Sequence, residues 1–433
     1  MSAAARRLWL VFLMDALLLT VALLLAGASD NETIVRPVRR FLAGVQQTDS
    51  WRPMDLAEQY LTHPHERPVY EELLKSRGVK FQYPLSSLLF TRHLSLATLN
   101  AVCWVSIVLV VAVVWLILRR TGTGTPLEFG AGDPTVGLAL IGLTLTFSPL
   151  MEAYALGQIQ AWINAALALA TLAWLTRRED LAGVAIGFAC LLKPTYLLLG
   201  VWGLVRRKTR FVVPMAAMVV LGTLAALVAY GIADNVDYLN ALREIGQRGE
   251  VFYPNQSFNG LLNRLFENGD SLKFDRYAFA PFHPVVYAGT LAAFLTLIPL
   301  ALWLPRRSAD AGSVTDFWIF LLTITITSPV AWTHHYGAVV VLFAAAAPRL
   351  LMTKPFGRAT APVLLLCYVA VSQSLALTNR LAGTGLGVVQ SYVFAAAVVL
   401  LALMYRSLFV RAQPAAVSGP ALLPSTAFVM KSS

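Results

Sequence analysis

A chain of 433 residues in which 57% of side chains are hydrophobic and only 13% charged is not a soluble globular domain, since such domains carry about a quarter charged residues. The net charge of +11 would suggest nucleic acid in a soluble protein. Here the basic residues sit in short pieces between apolar runs, as cytoplasmic anchors do, so the composition implies a polytopic membrane protein with the lipid bilayer, and no nucleic acid, as partner.

In chain order, Arg6 and Arg7 precede an apolar run at 8–27. It is longer than a signal-peptide core and long enough to span a bilayer, so it reads as a retained anchor. Asp15 within it is expected to face protein rather than lipid. Further spans are expected near 98–118, 135–150, 159–176, 211–231, 284–304, 316–331, 336–348, 361–378 and 387–405. All should be helical, because lipid leaves open strand edges unsatisfied. A shorter pair, 181–192 and 195–205, meets at Lys193-Pro194. Each arm is too short to cross about 30 Å of hydrocarbon upright, so this hairpin is expected to be re-entrant or packed inside the bundle.

The expected architecture is an all-α bundle of about 10–12 transmembrane helices. Residues 1–412 form it as one integral membrane domain, with 28–97 as a long first extracytoplasmic loop. The Ala-, Pro- and Ser-rich segment 413–433 is expected to be a disordered cytoplasmic tail. The clusters Arg119-Arg120, Arg177-Arg178, Arg206-Arg207-Lys208 and Arg306-Arg307 fall on one side if the spans alternate. That side is the cytoplasm by the positive-inside rule, which places both termini there and the unusual polar motifs outside. Cys103, Cys190 and Cys367 lie within apolar runs without pairing or ligand spacing. The Gly-Thr-Gly-Thr run at 122–125 lacks the lysine of a phosphate loop.

The motifs on the presumptive outer face carry the chemistry. In SWRPMDLAEQY, Asp55 is followed by Tyr60; a carboxylate within hydrogen-bond reach of a sugar hydroxyl can deprotonate it as it attacks. Asp49 and Glu58 are rival acids in the same loop, and a solvated loop acid or helix cap is the plainer alternative. FQYPLSSLLF brings Tyr83 to the next span. MEAYALGQIQAWIN offers Gln158 and Gln160 to hydrogen-bond sugar hydroxyls, with helix capping as the alternative. Lys193, in the apolar hairpin, is costly to bury and suits a phosphate, unless it snorkels or pairs with a buried acid such as Asp15. VFYPNQSFNGLLNRL packs Asn255, Gln256, Asn259 and Arg264 into a short polar loop suited to a sugar. SPVAWTHHYG ends a span with Trp332, His334 and His335. Adjacent histidines with no nearby carboxylate are poor metal ligands, so hydrogen bonding to phosphate or sugar is favoured over metal, with an interfacial aromatic belt as the alternative.

These six pieces, in this order, resemble glycosyltransferase family 87, the polyprenyl-phosphate-mannose-dependent α-mannosyltransferases of GT-C fold, from about Leu8 to Leu403. The resemblance implies an inverting transfer of a sugar, mannose or a pentose, from a polyprenyl-phosphate donor to a glycan or glycolipid outside the cytoplasmic membrane. Asp55 would be the general base, with Lys193, His334, His335 and Arg264 at the donor phosphate. Tyr60, Tyr83, Gln158, Gln160, Asn255, Gln256, Asn259 and Trp332 would contact sugar or acceptor. No cofactor or metal is expected. A transporter or lipid-linked sugar flippase is the alternative, but it predicts internal repeats, which the sequence lacks. A third reading is a non-catalytic subunit of an envelope complex.

Overall fold

The computed structural model describes residues 14, 16–18, 20, 21, 48–120 and 141–410. The predicted first span with Asp15, the start of the 135–150 span, and the 413–433 tail lie wholly or largely outside the described residues. The protein is an all-α polytopic membrane protein, with no strand among the described residues.

The long first loop folds rather than wandering. It forms α1 (Trp51–Leu61), a π-helical turn (Glu71–Ser76), and then runs into α2 (Leu96–Arg120). Two helices follow: α3 (Ser148–Ala155), largely on a stretch expected to connect spans, and α4 (Gln160–Leu175), on the span expected at 159–176. The hairpin at Lys193 is α5 (Glu179–Leu192), a 3-10 turn (Pro194–Leu197) and α6 (Leu198–Val205). Beyond it come α7 (Thr209–Tyr230), α8 (Ile232–Arg248), α9 (Phe258–Leu265), α10 (Pro284–Trp303) and α11 (Val314–Thr327). A 3-10 turn (Thr333–Tyr336) carries the two histidines, and α12 (Val339–Thr353), α13 (Thr360–Ser372) and α14 (Tyr392–Phe409) complete the chain.

Length and burial sort the helices into two groups. Four apolar stretches, Leu96–Leu118, Thr209–Tyr230, Pro284–Arg307 and Gly387–Phe409, are long enough to cross a membrane. At about 1.5 Å per residue, the 22 residues of α7 reach across the hydrocarbon. Among the described residues, only 17% of the α7 stretch is buried, and the remainder is mostly apolar, as suits a helix against lipid. The shorter apolar helices α4 and α11 are instead buried on almost every side, which is why their lengths need not match a bilayer.

Lipid tails are as apolar as leucine, so helix association here rests on close packing. The α5–α7 contact shows how. Gly183 and Gly187 of GVAIG stand one turn apart on α5; a Cβ at Gly183 would lie 2.2 Å from the Phe211 carbonyl oxygen, and one at Gly187 2.7 Å from Met218 Cβ. Gly222 on α7 admits Leu191 in the same way. Only glycine allows this approach.

The stretch 232–283, expected to be a loop, contains α8 and α9. α8 turns Asp234 and Asp237 inward. Asp234 accepts hydrogen bonds from the Val69 amide (2.7 Å) and contacts His65 Nε2 (3.1 Å), and Asp237 accepts from the Glu71 amide (3.0 Å). Two acids thus fasten the first loop to the wall of the cleft described next.

Candidate active site

The segments expected on the outer face do converge. Residues from 48–83, 152–160, 192–195, 238–254, 274–277 and 328–335 line one half-open cleft of about 1230 Å³. Tyr83, Gln158, Gln160, Lys193, Trp332, His334 and His335 are on its walls.

One wall is a hydrogen-bonded knot at the start of α1. Ser50 occupies the N-cap position of α1 but does not cap it. Its hydroxyl accepts from the Ile159 amide (2.9 Å), donates to Gln158 Oε1 (2.8 Å), and meets the Tyr83 hydroxyl at 2.7 Å. The Asp49 amide donates to the Leu156 carbonyl (3.0 Å), and Gln158 Nε2 reaches Asp49 Oδ2 at 3.4 Å. Backbone and side chain together hold the Asp49 carboxylate on the cleft wall, where it remains exposed. Glu152 is a second carboxylate on the lining.

The facing wall is cationic and aromatic. Lys193 lies at the break between α5 and the 3-10 turn, its ammonium 3.1 Å from His335 Nδ1 and 3.3 Å from Nε2. Among the described residues it meets no carboxylate. The Trp332 amide donates to His335 Nδ1 at 3.1 Å, so the neutral ring carries its proton on Nε2. Burial, and then the Lys193 charge, hold the His335 pKa well below its ordinary value; the same two causes push His334 down to about 3. Both rings are therefore neutral hydrogen-bonding groups, while burial lowers Lys193 to about 7, and an anionic ligand beside it would favour its ammonium form. His334 Nε2 is buried without a partner. Gln160 donates to Asn164 Oδ1 (3.0 Å), and Asn164 Nδ2 to the His334 carbonyl (3.3 Å), which seats the histidine turn on α4.

Other expected site residues lie outside this cleft. Asp55 lies on the exposed face of α1, where Gln59 donates to it at 2.9 Å, and it does not line the cleft. One helical turn separates it from the Asp49 wall. Tyr60 donates to the Arg67 carbonyl (2.8 Å) and packs against His65 outside the cleft. Glu58 receives the Tyr230 hydroxyl at 3.3 Å, also outside it.

The NQSFNGLLNRL loop is scaffold rather than lining. Asn255 donates to the Glu250 carbonyl (2.8 Å) and accepts from the Ala331 amide (2.9 Å). Gln256 Oε1 accepts the Val393 and Phe394 amides at the start of α14 (3.2 and 3.3 Å). Asn259 donates to Thr290 Oγ1 (3.1 Å). Arg264 donates to Ser391 Oγ (2.8 Å) and the Asn255 carbonyl (2.9 Å). All four are buried with their polar atoms engaged, and none reaches the cleft. They pin the Trp332 segment, which also bonds through Gln256 N to Ala331 O (2.7 Å) and Thr333 N to Pro254 O (2.9 Å).

The cleft also recruits residues to which the sequence pointed weakly or not at all. Arg52, Arg77, Lys80 and Arg276 add positive charge, and Tyr238, Phe252, Phe274 and Tyr277 add aromatic surface. Lys80 is already spoken for, 2.7 Å from a buried Glu250 and over the rings of Phe274 and Phe279. Among the described residues no cluster of His, Cys, Asp or Glu could hold a metal ion.

A cleft with a held carboxylate, a lysine that meets no carboxylate among the described residues, and aromatic walls, at one end of a membrane helix bundle, suits transfer of a sugar from an anionic donor. Residues 81–329 match glycosyltransferase family 87. No curated protein and no solved structure matches the chain. The family match covers more than half of the sequence and, in full, four of the six segments that line the cleft: the chain belongs to glycosyltransferase family 87 and is a membrane glycosyltransferase.

Proposed function

We propose that the protein transfers mannose from a polyprenyl-phosphate donor to a hydroxyl of a glycan or glycolipid acceptor, with inversion, on the extracytoplasmic face of the cytoplasmic membrane and in a bundle of GT-C type. One observation carries this reading. A single cavity has the Asp49 carboxylate on one wall and Lys193, His334 and His335 on another.

The roles follow from charge. The acceptor oxygen attacks the anomeric carbon, and its proton passes to Asp49, a contribution of about a hundredfold to ten-thousandfold. The bond from that carbon to the phosphate oxygen breaks, and the electron pair leaves with the polyprenyl phosphate. Its growing negative charge is offset by Lys193, while the Nε2–H of His335 donates to a phosphate oxygen; preorganised stabilisation of this kind is often the largest catalytic effect. Asp49 takes the role that the sequence had assigned to Asp55, because a base must reach the proton it removes. Trp332 and the cleft tyrosines supply flat faces for sugar rings, and Gln158 and Gln160 supply amides.

Membranes expressing wild type, Asp49→Asn or Asp55→Asn, supplied with radiolabelled polyprenyl-phosphate-mannose, test this. Label should reach an acceptor with wild type and Asp55→Asn and be lost with Asp49→Asn. Loss confined to Asp55→Asn would return the base to α1. No transfer by any folded protein would remove mannose as the donor sugar.

A further inference from the structure

α8 is built inside out for a helix in water. Its protein-facing side carries Asp234, Asp237, Tyr238 and Ala241, between 2% and 8% exposed. Its outward side carries Ile232 (71% exposed), Val236 (54%), Leu239 (63%) and Leu242 (39%), with Asn240 and Arg243 the exposed polar residues toward its C-terminal half. The spacing of four, three and three residues places the four apolar side chains on one stripe of the helix. A helix that hides its acids and shows its aliphatic residues faces an apolar medium.

The chain identifies that medium. α7 ends at Tyr230 and α8 begins at Ile232, so Gly231 is the only residue between them. Its φ of +78°, which glycine adopts at little cost, makes the turn. α7 is a lipid-facing span, with Val220, Leu221, Leu224 and Val228 all more than half exposed. A helix that starts one residue beyond the end of a span starts at the membrane surface. The apolar face of α7 thus continues into the stripe of α8. At the other end of the stripe, Leu242 is both exposed and part of the cleft wall, which Tyr238 and Ile245 also line.

We propose that α8 lies in the membrane interface with its Ile232–Leu242 stripe against lipid chains, and that the Leu242 end is where the isoprenoid chain of the donor passes from the bilayer to the cleft. The location of α8 stands on its own; the chain-passage role rests on the polyprenyl-phosphate reading above. An interfacial position satisfies both faces of the helix, since apolar side chains sit at the acyl boundary while the inward acids remain bonded to the Val69 and Glu71 amides.

Two measurements test it. Cys103, Cys190 and Cys367 are buried, so a thiol-reactive bimane reports on an introduced cysteine. Bimane at Val236→Cys and Leu239→Cys, in phosphatidylcholine vesicles, should be quenched by dibrominated acyl chains and spared by aqueous iodide. Lys273→Cys, on the exposed loop, should behave the opposite way. Quenching of the α8 labels by iodide alone would overturn the interfacial position. In the second, Val236→Lys combined with Leu239→Lys should raise the KM for a long-chain polyprenyl donor about tenfold and leave that of a short, water-soluble prenyl donor unchanged. An equal rise for both donors would overturn the chain-passage role. If wild type uses neither donor, the reading of the reaction fails, and the bimane result still decides where α8 lies.

Discussion

Two regions of the molecule treat positive charge differently: the end of the bundle away from the cleft and the turn at Lys193. At the end away from the cleft, cations are consumed by structure. Arg206, only 2% exposed, bonds to Asp316 at 2.5 Å and also donates to the Leu302 carbonyl. Lys208 meets Glu179 at 2.7 Å, and Arg349 meets Asp310. At the cleft end Lys193 has a neutral histidine for a neighbour instead. A paired cation has nothing left to offer a ligand. A cation whose neighbour is neutral is still owed a charge, and a phosphate can supply it. The basic clusters look alike in sequence; it is their partners that separate structural from functional charge.

Mutating each end sharpens the contrast. The largest effect should come from the buried pair. Arg206→Ala leaves Asp316 uncompensated at 0% exposure, which costs about 3–5 kcal/mol. Folded yield and thermal stability in detergent should fall sharply, while transfer per folded molecule stays near wild type. Next comes Lys193→Met, expected to lower kcat/KM by about a hundredfold to a thousandfold with folded yield preserved. A Lys193→Met protein that transfers normally would break the comparison. Lys208→Ala should cost only about 0.2–1 kcal/mol, since Lys208 is partly exposed beside Glu179, and should not change transfer. The smallest effect concerns pH. Because burial and the Lys193 charge lower the His334 and His335 pKa values, both rings stay neutral around neutral pH. The pH–rate profile should therefore show no limb from the imidazoles; transfer should instead fall as pH rises through about 7, where the Lys193 ammonium loses its proton. A limb that vanishes in His335→Asn would mean that the ring titrates during turnover.

Much of the molecule was legible in its residues, and the misses share one cause. Long apolar runs announced α2, α7, α10 and α14, and charge clusters marked the chain connections. TrpThrHisHis and Lys193 were legible because bulky or charged polar groups at the ends of apolar helices are costly to place without purpose. The choice between Asp49 and Asp55 was not, since both acids lie in one polar loop. Only the amide bond from Asp49 to Leu156, and the outward face of α1 beneath Asp55, separate them. The NQSFNG loop misled because its density of amides suits a sugar and a buried staple equally well, and in the fold its amides bond to backbone.

The sequence by itself determined the helical membrane class, the family and the chain segments that would meet. Those are local properties, written in the length, hydropathy and spacing of a single run. Tertiary structure alone decided which carboxylate lines the cleft, which basic residues pair with acids, and which side of α8 stays exposed. Each of those depends on what packs against a side chain, and the partner comes from a distant part of the chain.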